Sequence, residues 1–184
     1  MHKGRDSRSP EKSGVFPGKG SGKIGLFLIT AALVVALDQL SKSWIRANPQ
    51  PTELLPGFLN LVYGQNPGAV FGLPVNQTFL ISIIMVVLII IILLLLRYVS
   101  LATTSTIISA SLIFGGAIGN LIDRLRFSGY VTDFIDLHLQ NLFHWYTFNL
   151  ADAAVTVGTC TLMYSLYLSG LFRTAYEHDR NSKN

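Results

Sequence analysis

The sequence predicts an all-α membrane protein with four transmembrane helices, and three observations carry the prediction. The apolar residues of this 184-residue chain, 50% of the total against 13% charged, are gathered into blocks instead of recurring at the spacing of a soluble core. Residues 79–96 are eighteen consecutive positions without a charge, which is long enough to span a bilayer. The mean hydropathy is +0.46. Together these exclude an ordinary cytosolic enzyme, a disordered chain and a small secreted disulfide domain. The single cysteine, Cys160, cannot pair within the chain.

Taken in order, residues 1–23 are rich in Lys, Arg, Gly and Ser and have the composition of a flexible basic tail. Their 18–23 piece looks like a phosphate loop, but Gly20 and Ile24 follow the lysines where GxxxxGK[ST] requires Ser or Thr. The first span covers residues 24–45. It follows a basic stretch as a signal peptide would, yet continues through Asp38 and Lys42 without a small-x-small cleavage site, so it reads as a retained helix. The second span covers 78–96, the third 104–122 and the fourth 148–172. Residues 24–172 therefore form one membrane domain, followed by a C-terminal tail over 173–184. Gly115 and Gly119 in the third span, and Ala154 and Gly158 in the fourth, have the small-xxx-small spacing that lets helix backbones approach. Trp44, Trp145, Tyr146 and Phe148 lie at span boundaries, where they read as interfacial anchors.

Charge distribution gives orientation. Lys3, Arg5, Arg8, Lys12, Lys19, Lys23, Arg97, Arg173, Arg180 and Lys183 fall on one side of the membrane, against Lys42, Arg46, Arg124 and Arg126 on the other. The positive-inside rule puts both termini in the cytoplasm and the connections 46–77 and 123–147 outside. The net charge of +4 does not mark a nucleic-acid binder, because six of the fourteen basic residues lie in the first 23 positions and no basic, aromatic-interleaved surface follows.

Ionisable groups in or beside a span are costly and are functional candidates unless merely paired. Asp38 falls about 21 Å along the first helix at about 1.5 Å per residue, in its outer half. Lys42 is one turn further on the same face, and an internal ion pair is the plainest reading of the two. Asn120, Asp123 and Arg124 close the third span, Asn149 and Asp152 open the fourth, and Asp133 and Asp136 lie between them in an alternating, extended segment. Asn66 and Gly68 sit in a turn-forming stretch before the second span, at the same level. Topology thus gathers polar residues from four segments at the outer membrane surface.

Two carboxyl groups sharing such a site cannot easily both ionise, so one proton is shared between them. The ionised member can then deprotonate water while its partner protonates a carbonyl oxygen, which is hydrolysis without a covalent intermediate. Spacing alone does not choose two among Asp38, Asp123, Asp133, Asp136 and Asp152. Other chemistries fit less well. There is no HExxH motif, and His138 and His144 stand in an aromatic, interfacial stretch, so no metal site is expected. Ser128 is in a loop, the spans contain no His, and Cys160, without a basic partner, reads as packing.

Five blocks follow one another along the chain: Asp38-Gln39-Leu40-Ser41-Lys42, Asn66-Pro67-Gly68-Ala69-Val70-Phe71-Gly72, Gly115-Gly116-Ala117-Ile118-Gly119-Asn120-Leu121-Ile122-Asp123-Arg124, Val131-Thr132-Asp133-Phe134-Ile135-Asp136 and Phe148-Asn149-Leu150-Ala151-Asp152. In this order they resemble lipoprotein signal peptidase, the type II signal peptidase family of bacteria, over residues 38–152. Val70 stands where many members carry a second alanine. The resemblance implies an intramembrane aspartic endopeptidase of the bacterial inner membrane. Its substrates would be diacylglyceryl-modified prolipoproteins, cleaved before the lipidated cysteine. Carried over, the catalytic pair falls on Asp133 and Asp152. Asn66, Asn120, Arg124 and Asn149 would line the peptide and lipid site, supported by Asp38, Lys42, Gly68 and Asp123. The resemblance further implies a small extracytoplasmic β-cradle, with strands within 59–63 and 130–136, and a short interfacial helix within 138–146. No metal or organic cofactor is required, and the partners are prolipoprotein and membrane lipid, not nucleic acid. The alternatives are an ion- or proton-coupled small membrane transporter with Asp38, Asp123 and Asp152 as a relay, and a noncatalytic assembly factor. The absence of an inverted repeat counts against transport.

Overall fold

A computed structural model describes residues 20–68, 76–139 and 143–168. The tail before residue 20, the Ala69-Val70-Phe71-Gly72 part of the turn motif and the C-terminal tail lie outside the described residues. Four helices are seen among the described residues: α1 (Gly20–Ala47), α2 (Gln77–Tyr98), α3 (Thr104–Arg126) and α4 (Leu150–Leu168). The first three are long and apolar enough to cross a membrane. Helix α1 takes in residues 20–23, which composition assigns to the tail. The reason is tertiary: Lys23 Nζ donates to Ser100 O at 3.0 Å and Ala102 O at 2.7 Å, tying the start of α1 to the α2–α3 turn. Helices α2 and α3 begin at Asn76 and Thr103, whose side chains accept from Phe79 N and Thr106 N and satisfy donors that a helix start leaves open.

Helix α3 is the packing axis, with α1 and α4 against it and also touching each other; α2 touches only α3 among the described elements. Small residues explain this. A Cβ on Gly115 would stand 2.8 Å from Ala31 O of α1, and one on Gly158 would stand 2.8 Å from Ser109 O of α3. Gly116, which the spacing argument does not single out, faces the backbone of Ala151 at a still closer approach. Such contacts replace the hydrophobic drive that lipid removes. Helix α2 buries only Leu88, consistent with a lipid-facing helix leaning on one neighbour. Cys160 does not pack inside but is exposed on α4, because the buried face of that helix runs through Ala151 and Gly158.

The connections form a four-stranded antiparallel sheet of β1 (Thr52–Leu55), β2 (Leu59–Asn66), β3 (Val131–Leu139) and β4 (Phe143–His144), in that order. Residues 138–146 are therefore not an interfacial helix over the described positions. Residues 138–139 end β3 and residues 143–144 form its return strand, with His138 paired to His144 and Leu139 to Phe143. A helix would forfeit those ladder bonds and the Trp145 N to Leu137 O bond of 2.8 Å. Phe148 is likewise more than an anchor, since its carbonyl accepts from Phe134 N and Ile135 N at 2.9 and 2.8 Å and ties the start of α4 to β3. Trp44, Trp145 and Tyr146 are exposed. The sheet meets α1 through β2 and β3, and α3 through β3, closing the bundle end opposite the Lys23 contact.

Candidate active site

Helix geometry builds the site from α1. Asp38, Lys42 and Arg46 follow at i, i+4 and i+8 and form one row of charge on the face turned to α3. Asp38 and Lys42 are fully buried, with Lys42 Nζ 2.8 Å from Asp38 Oδ2 and 3.7 Å from Asp123 Oδ2. Arg46 adds a 3.5 Å contact to Asp123 and donates to Thr132 Oγ1 at 2.8 Å. Asp38 Oδ1 accepts from Ala151 N at 3.0 Å, and Asp123 Oδ2 from Thr132 N at 2.9 Å. These two aspartates therefore fix the start of α4 and of β3 by charge-assisted bonds.

Helix α4 starts in a capping box. Asn149 Oδ1 accepts from Asp152 N at 2.9 Å, and Asp152 Oδ2 accepts in return from Asn149 N at 3.3 Å. The other Asp152 oxygen accepts from Asn120 Nδ2 at 2.7 Å. Asp133 is 1% exposed; its Oδ1 accepts from Asn149 Nδ2 at 2.7 Å and its Oδ2 from Asn66 Nδ2 at 2.8 Å. Asp133 and Asp152 thus flank one side chain, Asn149. Neither has a cation within salt-bridge distance among the described residues, whereas Asp38 and Asp123 do. Asp136 lies apart, with Oδ2 3.5 Å from His138 Nδ1. Burial is the main force that raises the Asp133 pKa from 3.8 to about 6; the Asp152 charge adds to it, and bonds from Asn66 and Asn149 and the Lys42 charge oppose it.

Gly68 serves the turn. At φ +81° it donates its N–H to Asn66 Oδ1 at 2.8 Å, and a Cβ there would collide with Leu80. That bond orients the Asn66 amide toward Asp133. Arg124 Nη1 reaches Asn120 O at 3.4 Å, its charge acts on Asp152, Asp133 and Asp123, and its Nε is buried without a hydrogen-bond partner among the described residues. No group of three metal-ligating side chains occurs among the described residues. The arrangement is two carboxyl groups held by amide donors, one of them pushed up by burial to about 6, with a guanidinium beside them.

A sequence model of the family described as Signal peptidase (SPase) II matches residues 30–168. The chain belongs to the signal peptidase II family. Similar members are the lipoprotein signal peptidase of Moorella thermoacetica, 48% identical over 145 residues that cover 77% of this chain and 93% of that protein, and that of Coxiella burnetii, 41% identical over 158 residues covering 82% and 95%. A solved structure described as a bacterial membrane enzyme superposes with a TM-score of 0.69 at 32% identity, covering 80% of this chain and 90% of that one. As a signal peptidase II the chain is a membrane protease of lipoprotein processing, and the family's place in bacteria is the inner membrane.

Three residues of this signal peptidase II cluster have no role assigned from sequence. Gln39 Nε2 donates to Gly119 O at 3.0 Å, Asp123 Oδ1 at 3.1 Å and Asp38 Oδ2 at 3.2 Å. Arg46 and Thr132 complete the shell around Asp123. The i, i+4, i+8 spacing from Asp38 is a signal for Arg46. Nothing local marks Thr132, whose part depends on where β3 enters.

Proposed function

We propose that the protein is an aspartic endopeptidase that cleaves diacylglyceryl-modified prolipoproteins before the lipidated cysteine, with Asp133 and Asp152 as the catalytic pair. The observation that carries this reading is the pairing across Asn149 of two carboxyl groups without a salt bridge among the described residues, one with its pKa raised by burial to about 6. Charge balance supports it. Asp38, Asp123, Asp133 and Asp152 meet Lys42, Arg46 and Arg124 in one cluster, so four carboxyl groups face three basic side chains. A single proton on the carboxyl groups makes the set neutral, which a low-dielectric site favours.

In the reaction, the ionised carboxylate takes a proton from water as the water oxygen attacks the scissile carbonyl carbon, and the protonated carboxyl gives its proton to the carbonyl oxygen. The resulting diol collapses as the first carboxyl passes the proton it took from water to the peptide nitrogen, the second takes back a proton from a diol hydroxyl, and the C–N bond breaks to leave a carboxylic acid and an amine. Asp133, with its raised pKa, suits the acid. Arg124 Nε is the buried donor left over for a substrate oxygen.

The orientation of basic residues supports four spans with both termini cytoplasmic and the site at the extracytoplasmic surface, where a lipid-anchored peptide presents its cleavage point. The cluster occupies one bundle end instead of crossing it, which is unsuited to a transporter's relay. Purified protein incubated with a diacylglyceryl-cysteine peptide should release the signal peptide with the lipidated cysteine as the new N-terminus. Asp133→Asn and Asp152→Asn should each lower kcat by about 10³-fold or more while inserting normally. Wild-type turnover by either variant would remove that residue from the pair.

A further inference from the structure

We propose that Lys42 is a positioning residue for hydrolysis: it locks the side-chain amide of Asn120 with its NH2 toward Asp152 and so sets the place and hydrogen-bond-acceptor role of that carboxyl group. The inference rests on the reading of Asp133 and Asp152 as the reacting acids and adds how one of them is held.

The geometry is directional. Lys42 Nζ is 2.9 Å from Asn120 Oδ1, and on its far side Asn120 Nδ2 is 2.7 Å from Asp152 Oδ1. An ammonium has only donors and an ionised carboxylate only acceptors, so the amide between them can satisfy both in one orientation. Turned over, it would set N–H against the ammonium and C=O against the carboxylate, and would lose the 3.2 Å bond from Asn149 Nδ2 to Asn120 Oδ1. The other amides of the site are locked differently. Asn66 is fixed by Gly68 N and Asn149 by Asp152 N, both backbone donors that no substitution of a neighbouring side chain removes. Asn120 is locked by a side-chain cation, itself fully buried and held 2.8 Å from Asp38 Oδ2. Lys42 therefore has a role beyond neutralising Asp38.

The charged groups of the cluster that contains Asp152 are Asp38, Lys42 and Arg46 from α1, Asp123 and Arg124 from α3 and Asp133 from β3. Of these, Lys42 alone donates to the Asn120 side-chain carbonyl that the lock needs. Removing it leaves the Asn120 oxygen with the longer 3.2 Å bond from Asn149 Nδ2 alone, so the amide can turn its oxygen to Asp152, which favours a proton there.

The test uses the full-length membrane protein and a diacylglyceryl-cysteine peptide. Lys42→Met should lower kcat by about 10²-fold with KM within about threefold, because misplacement of a reacting group acts on the chemical step. The acid limb of its kcat/KM profile should move up by about one pH unit. Lys42→Met leaves Asp38 buried without its partner, so the Asp38→Asn/Lys42→Met double variant is measured alongside; the amide introduced at position 38 keeps an acceptor for Ala151 N. The same upward movement in either folded variant supports the relay. An acid limb that stays in place, with or without a loss of kcat, overturns it, as does failure of both variants to fold, which would make Lys42 structural. Asp152→Asn run in parallel separates the two levels: its retaining turnover removes the catalytic pair, whereas an inactive Asp152→Asn beside an unmoved acid limb removes only the relay.

Discussion

Asp133 couples the site to pH. Burial disfavours its anion, so between its ordinary value of 3.8 and about 6 the folded chain holds a proton that the unfolded chain has lost. Its contribution to stability is therefore fully present below 3.8 and is lost as pH rises through about 6. With Asp133 as the acid, kcat/KM should be bell-shaped, with an alkaline limb of midpoint about 6 in the free enzyme. The limb should lie higher in kcat, since a bound peptide excludes more water and penalises the anion further. Steady-state rates on the lipidated peptide across both limbs check this, and a profile without an alkaline limb would remove Asp133 from the role of acid.

At the scale of elements, catalytic geometry depends on how closely α3 and α4 approach. Gly116 lies against the backbone of Ala151, whose N–H is bonded to Asp38 and whose next residue is Asp152. Gly116→Val must push the start of α4 outward. Overpacking of this kind costs about 1–3 kcal/mol, and a displacement of about an ångström at a reacting group can cost about 10²-fold in rate. The expected outcome is a lowered melting temperature together with a kcat reduced at temperatures where the variant is fully folded; wild-type kcat there would show that α4 has room to spare. The small-xxx-small pattern marks Gly115, Gly119 and Gly158, but the closest approach falls on Gly116, because which face of α3 meets which helix is decided by the packing of α1 and α4 together. The capping box at Asn149 and Asp152 is local and within reach of sequence reasoning, although its Asp in place of Glu or Gln hides it.

For the whole molecule, the polar cluster and the sheet sit at one end of the bundle and the Lys23 tie to the α2–α3 turn at the other. The positive-inside orientation then predicts opposite labelling. In a Cys160→Ser background, Thr52→Cys should react with a membrane-impermeant maleimide in intact cells, and Ser100→Cys only after permeabilisation. Labelling of the Ser100 position in intact cells would reverse the topology.

The sequence by itself determined the apolar spans, the Asp38–Lys42 pair and the gathering of Asn66, Asn120, Asp133, Asn149 and Asp152, because hydropathy, helical period and alternating direction across a bilayer act along the chain. The five blocks in order also pointed to the family. Only the tertiary structure decided that 138–139 and 143–144 are strand, that Asp136 stands apart, and that Arg46, Gln39 and Thr132 surround Asp123. These depend on strand register and on which faces of three helices meet, and such contacts join residues whose separation in sequence carries no period.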